Sequence, residues 1–351
     1  MALYRVAVDA MGGDNAPGAV VEGALMAARA YPDVQLMLFG PAGQLKNLLG
    51  AAAQDVAGRI EIVDASDVID IHEPPMLAVR RKTASSLVMA MMAVKEGRAQ
   101  AVVSAGPTGA VLAGGVLRVG RLEGIDRPAL CPVLPGRKKP FLLVDAGANV
   151  DCQPEYLCQF GLMGSVYMQK VLGVARPRVM LANIGAEAEK GNRLSKAAYQ
   201  LMSAQKEYDF AGNIEAREIP MGEADVVVAD GFDGNLILKY TEGLAGALVG
   251  MLKDEMLSST RAKLGALLMK NALRAFKNRM SYEKYGGAPL LGVKGALIKA
   301  HGSSDAEAMM NAIRQARAMV EGGVAERIGQ GVGALRAASG GQSDIERQKE
   351  E

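Results

Sequence analysis

Five short apolar runs constrain this chain more than any other feature, because each closes in a turn of small, polar and glycine residues that opens a helix. Val6-Ala7-Val8 leads into Asp9-Ala10-Met11-Gly12-Gly13-Asp14-Asn15, and Val102-Val103 into Ser104-Ala105-Gly106-Pro107-Thr108-Gly109. Leu142-Leu143-Val144 leads into Asp145-Ala146-Gly147-Ala148-Asn149, and Met180-Leu181 into Ala182-Asn183-Ile184-Gly185. The fifth run, Val226-Val227-Val228, leads into Ala229-Asp230-Gly231-Phe232-Asp233-Gly234-Asn235. Runs that are apolar on both faces and spaced by helices are the mark of a largely parallel sheet covered on each side.

Strands are expected at Leu3–Val8, Val34–Phe39, Ile60–Val63, Ala101–Val103, Phe141–Val144, Val179–Leu181 and Val226–Val228. Helices are expected at Pro17–Ala30, Ser85–Glu96, Gly109–Val119, Pro154–Val171, Ser195–Ala204 and Asp305–Glu321, with Pro17 and Pro154 in first turns and Ser303 or Ser304 capping the last. With no repeat and no clear linker, residues 1–335 read as one α/β domain, and 336–351 as a frayed polar tail.

In an open parallel sheet the turns after the strands share one edge, where ligands bind. Glycines there let backbone approach a ligand, and helix starts aim unpaired N–H groups at it. An oxyanion such as phosphate is the guest this arrangement suits. No Walker A loop occurs, and the first strand–turn unit has no strict G-x-G-x-x-G.

Composition narrows the class. The chain has 351 residues, no Trp and only 4% aromatics, so its core is aliphatic, with 20 Met. That Met content suits either a pliable apolar ligand or simply a Met-tolerant core. A net charge of +2 argues against a nucleic-acid partner. Cys131, Cys152 and Cys158 cannot all pair and no leader is seen, so reduced thiols in a cytoplasm are expected. No run of eighteen apolar residues is present. Two His, no metal-ligand spacing and no G-x-S-x-G elbow leave neither a metal nor a serine nucleophile to expect.

In order along the chain, DAMGGDNAP, SAGPTGA, GIDRPAL, DAGANVDCQPEYL, NIGAEAEKGN, DVVVADGFDGN and HGSSDA resemble the successive signature segments of the PlsX family, over about Val6 to Ala306. The resemblance implies acyl transfer from acyl carrier protein to inorganic phosphate, giving acyl-phosphate for phospholipid synthesis without a cofactor. It also implies an isopropylmalate-dehydrogenase-like α/β fold, shared with phosphotransacetylases, and a homodimer. Two positions depart from the family pattern: Pro107 stands where Asn is usual, and Ala84 where Asp is usual.

Acyl transfer to phosphate asks the protein to bind an anion, orient it and stabilise a tetrahedral oxyanion, since phosphate is the nucleophile and a thiolate leaves readily. Phosphate contacts are expected from Ser104, Gly106, Thr108 and Gly109, with Gly12, Gly13 and Gly185 in the neighbouring turns. Asn149, Asn183 and Asn235 suit an oxyanion hole, joined by His301 as a catalytic candidate; His72 is a weaker one. Asp9, Asp145 and Asp230 belong to the same turns, yet bare carboxylates repel phosphate, so loop fixing by Asx-turn or cap competes with any substrate role. Arg80, Arg81 and Lys82, before Ser85 and Ser86, offer positive charge or a solvated cluster; Lys190, Lys239 and Lys294 are weaker candidates.

Residues at about 251–285 read differently. Leu264, Leu267, Leu268, Leu273 and Phe276 recur at helical spacing, interleaved with Arg261, Lys263, Lys270, Arg274, Lys277 and Arg279. Such a basic amphipathic segment suits a subunit interface, an anionic bilayer, or an acidic carrier protein. Peripheral membrane contact would bring the product to a membrane-bound glycerol-phosphate acyltransferase. Three other readings stay open: a short-chain phosphotransacetylase using coenzyme A, a dehydrogenase of the same fold, and a non-catalytic membrane scaffold.

Overall fold

Strands form where aliphatic residues alternate between two buried faces. The computed structural model describes the backbone of residues 3–280 and 282–347, and side chains over 3–276 and 284–335. The first half runs β1 (Tyr4–Asp9), α1 (Gly18–Ala30), β2 (Val34–Gly40), α2 (Ala42–Leu49), β3 (Ile60–Asp64), α3 (Pro75–Arg81), α4 (Ser86–Lys95), β4 (Ala101–Ser104), α5 (Thr108–Gly114), β5 (Ala129–Leu130), β6 (Val133–Leu134) and β7 (Phe141–Val144). The second half runs α6 (Pro154–Leu172), β8 (Arg178–Asn183), α7 (Arg193–Ser203), β9 (Asp209–Glu215), β10 (Val226–Val228), α8 (Gly231–Leu257), α9 (Thr260–Leu268), α10 (Lys270–Met280), β11 (Ala288–Leu291), β12 (Ala296–Lys299), α11 (Ala306–Glu321) and α12 (Val324–Arg347).

The expected mostly parallel α/β architecture with helices on both faces is present, its strands divided between two sheets. The first has the order β3-β2-β1-β4-β12-β11-β5, and the second β6-β7-β10-β8-β9. Only β11 and β6 pair antiparallel with their neighbours. The alternation explains the double covering. Val6, Val8, Ala101 and Val103 face the cluster that includes α1 and α11, while Ala7 and Val102 face the one that includes α4 and α5. In the second sheet Leu142, Val144, Val226 and Val228 join that same first cluster, and Leu143 and Val227 face a third. One apolar cluster therefore runs under both sheets.

All seven expected strands are present, give or take a residue or two. The two-residue β5 and β6 are too short to carry a pattern, β9 is interrupted by Gly212, and β11 carries Pro289. Two caps differ from expectation. Pro17 occupies the N-cap of α1 rather than its first turn, and α11 is capped by Asp305, which accepts from Ala308 N at 2.9 Å, not by Ser303 or Ser304. Helix α5 runs on through a π-helical turn, Gly115–Val119. Helix α12, Val324–Arg347, runs on into the segment from 336 read as a frayed tail. Residues 348–351, and every side chain beyond 335, lie outside the described residues.

Candidate active site

The turns after β1 and β4 pack directly on each other because Gly12 leaves room for it. A Cβ there would lie 2.6 Å from both Asp9 Oδ2 and Gly106 N. Beneath them Ser104 Oγ donates to Asp9 Oδ2 at 2.7 Å and accepts from Gly106 N at 3.0 Å. Burial pushes the Asp9 carboxyl pKa up, against the pull of hydroxyls from Ser86 and Ser104 and the N–H groups of Met11 and Gly12. Ser104 thus spends its proton on a buried carboxylate, which corrects the expectation that it contacts phosphate. Gly13, at φ +102°, turns the chain so that Asp14 N donates to Gly302 O at 2.8 Å. Asn15 Nδ2 adds a bond to Ser303 O at 3.1 Å. The first turn is thereby tied to the loop holding His301.

The turns after β7 and β10 make a second such pair. Asp145 accepts from Leu130 N, Ala148 N, Asn149 N and Asn149 Nδ2 at 2.7–3.1 Å. Burial still pushes its pKa up, although all four donors favour the charged form. Asn149 Nδ2 gives its other proton to Pro128 O at 2.8 Å, so both amide donors are used. Asn149 is therefore a loop brace rather than an oxyanion donor. Asp230 caps α8 by accepting from Asp233 N at 2.8 Å. Gly234 brings α8 against the β7 turn so closely that a Cβ would lie 1.8 Å from Asp145 O.

The five turns do not converge as one group. Strand β8 lies beyond β10 in its sheet, and Asn183 braces its own loop, with Nδ2 donating to Lys190 O at 3.2 Å. Gly185 packs beside Lys190 in that loop, and neither lines the cavities below. Lys82 also stands apart: its ammonium binds Glu73 at 2.7 Å and Asp67 at 3.4 Å. Ser85 is the N-cap of α4, accepting from Val88 N at 3.4 Å, and it serves that role without a carboxylate at Ala84. Pro107 sits at the N-cap of α5, where a missing N–H costs the helix nothing. Lys294 lies on a different surface, beside Gly120. His72 is exposed in the loop before α3.

What does converge is a cavity of about 250 Å³ between the carboxyl ends of β4 and β12 and the first turns of α8. Thr108, Asn235, Lys239, Glu242, Lys299, His301 and Ser304 supply its polar groups, against apolar walls that include Leu130, Val133 and Leu238. Lys299 went unrecognised in the sequence. It pairs in register with Ser104 on β4, is only 8% exposed, and its Nζ donates to the carbonyl oxygens of Ala300 and Ala105. Burial lowers its pKa to about 8, partly offset by Asp14 and Asp9. A lysine closing an otherwise apolar run (Ala296-Leu297-Ile298-Lys299) was the available signal, since a parallel strand ends at the ligand edge. Lys239 pairs with Glu242 at 2.8 Å on the same wall. His301 Nδ1 accepts from Ser303 N at 3.3 Å and lies 2.8 Å from Ser303 Oγ.

A larger cleft of about 610 Å³ is bordered by Gly109, next in the chain to Thr108, and by Asn149. Helix α8 departs from both cavities. Of its side chains only Leu238, beside Gly231 and Gly234, is buried, and Phe232, Leu236, Tyr240, Leu244, Leu248 and Leu252 form an exposed stripe at four-residue spacing. The basic amphipathic segment is two short helices, α9 and α10, following the end of α8. Ser259 caps α9, and Leu264, Leu267, Leu268 and Phe276 are exposed. Lys277 and Arg279 are among the side chains outside the described residues.

Known proteins resemble this chain in sequence and in fold. The family model for "Fatty acid synthesis protein" matches residues 4–327. The chain is 52% identical over 330 residues to the phosphate acyltransferase of Clostridium botulinum (strain Loch Maree / Type A3), covering 94% of this chain and 98% of that one. It is 50% identical over 331 residues to that of Alkaliphilus oremlandii, with the same coverage of each. Among solved structures, a phosphotransacetylase from Streptococcus pyogenes matches with a TM-score of 0.59 at 15% identity, covering 91% of this chain and 94% of its own. A branched-chain phosphotransacylase from Enterococcus faecalis V583 matches at 0.54 and 17%, covering 91% and 99%. These two show a shared α/β fold. The chain belongs to the PlsX family, the phosphate acyltransferases.

Proposed function

We propose that the protein transfers a fatty acyl group from acyl carrier protein to inorganic phosphate, with phosphate held in the cavity of Lys299, Thr108 and His301. The observation that carries this reading is the buried Lys299, an ammonium whose hydrogen bonds among the described residues go to carbonyl oxygens, facing a cavity with a hydroxyl and an imidazole. A buried lysine is costly when charged, and an arriving phosphate supplies the opposite charge that favours protonation. A phosphate oxygen attacks the thioester carbonyl carbon, a C–O bond forms, and the C–S bond breaks with its electron pair leaving on sulfur. Thr108 and the Asn235 amide are the neutral donors placed to hold the tetrahedral oxyanion.

The product, acyl-phosphate, is a reactive, greasy mixed anhydride suited to immediate use by a membrane-bound glycerol-phosphate acyltransferase. The α8 stripe fits a second copy of this chain as a homodimer interface, and the basic α9–α10 segment fits anionic lipid. Purified protein incubated with palmitoyl-carrier protein and phosphate is expected to form hydroxylamine-sensitive acyl-phosphate. A product formed only from acetyl-coenzyme A would instead favour the short-chain transferase reading. Spectral change with NAD would favour the dehydrogenase reading.

A further inference from the structure

The second cleft, of about 610 Å³, lies within the size range of small-molecule sites, yet the phosphate reading leaves it unused. Its floor is apolar: Pro75 and Met76 from α3, Leu112 from α5, Val116 from the π-helical turn, and Leu290 from β11. Met76 and Val116 are 49% and 39% exposed, so this apolar surface stands open to water. Its lining includes Gly109, the residue next to Thr108 of the phosphate cavity. At the rim stand Arg121 and Arg127, with one carboxylate, Asp151, also in the lining. Arg121 Nη1 donates to the Asp126 carbonyl oxygen, Arg127 lies 5.8 Å over the Tyr156 ring, and neither is ion-paired among the described residues.

Resting on the acyl-transfer reading above, we propose that this cleft receives the phosphopantetheine arm of the thioester donor. The arm lies along the apolar floor, its phosphodiester meets Arg121 and Arg127, and its thioester passes Gly109 to meet the phosphate beside Thr108. The charge pattern selects this occupant. A bare acyl chain has no use for two arginines at the mouth, and a lone anion has no use for an apolar floor. An arm that is apolar at its sulfur end and anionic where it joins its carrier satisfies both, since guanidinium groups bind phosphate oxygens in a fixed fork.

The test uses the full-length protein with two donors, acyl-carrier protein and an acyl thioester of N-acetylcysteamine, which carries the thioester but no phosphodiester. Arg121→Glu together with Arg127→Glu is expected to raise KM for acyl-carrier protein roughly 10- to 100-fold, as loss of charge-assisted hydrogen bonds does. KM for phosphate, and the rate with the N-acetylcysteamine donor, should stay unchanged. Val116→Trp, which fills the floor, is expected to lower kcat/KM with both donors while leaving KM for phosphate unchanged. Free 4′-phosphopantetheine should inhibit competitively against the donor, and more strongly than pantetheine, with that preference lost in the charge-reversed variant. The proposal is overturned if charge reversal affects both donors equally, or if either variant changes the phosphate KM instead. A wild-type protein that makes no acyl-phosphate from either donor overturns the parent reading, and this one with it.

Discussion

At the scale of single residues, the candidate site separates groups that build loops from groups that face a cavity. Asp9, Asp145, Asp230, Ser104 and Asn149 all spend their hydrogen-bonding capacity inside the protein, holding pairs of turns together. Thr108, Asn235, Lys299 and His301 face the cavity. Thr108→Ala is expected to raise KM for phosphate with the fold intact, because one hydrogen bond to a charged group contributes about 1.5–3 kcal/mol. An unchanged phosphate dependence would remove this turn from the site.

Lys299 adds a pH prediction. Its ammonium is present below about pH 8 and is lost as pH rises through that value, a range in which phosphate is already a dianion. The kcat/KM for phosphate is therefore expected to fall above about pH 8. Lys299→Arg, which stays charged, should move that fall upward, and an identical profile in the variant would exclude Lys299 as its source. In the ligand-free protein the same shift makes the unfolded chain bind more protons between about 8 and the ordinary 10.5, so stability rises with pH across that window.

Among the elements, contacts between turns depend on missing side chains. Gly234→Ala would drive a Cβ into Asp145 O, forcing α8 away from the β7 turn. Overpacking of this kind costs about 1–3 kcal/mol. A lower melting temperature, together with lost activity, is the expected result, and a variant as stable as wild type would show that the turns can separate freely. Helices α9 and α10 present Leu268 at 82% exposure among Lys263, Lys270 and Arg274. Each basic side chain near an anionic bilayer contributes on the order of 1 kcal/mol. Leu268→Glu is expected to weaken salt-sensitive binding to anionic vesicles while retaining activity in solution. If the variant dissociates the protein instead, the strip is a subunit interface.

For the whole molecule, α8 is the element that its own chain does not explain. A 27-residue helix with an apolar stripe in water leaves a surface that a second copy would cover. Leu244→Asp with Leu248→Asp is expected to convert a dimer to monomers in sedimentation, and a wild-type protein that already sediments as a monomer would refute the assignment.

The division between sequence and structure follows from how far each signal reaches along the chain. Parallel strands, their closing turns and most helix positions were legible from the sequence, because alternation, glycine and proline act over a few residues. That Thr108, Asn235 and His301 lie at one edge of the sheets was legible too, since each follows a recognisable strand or opens a helix, and the three line one cavity. Tertiary structure alone decided that the strands split into two sheets, that Asn183 and Gly185 fall outside the site, and that Asn149 is a brace. It also decided that Lys299 lies in the cavity, because a lysine beside Ser104 across 195 residues of chain is a fact of strand order. Burial, which changes the chemistry of that lysine, is created by elements distant in sequence, and no local pattern records it.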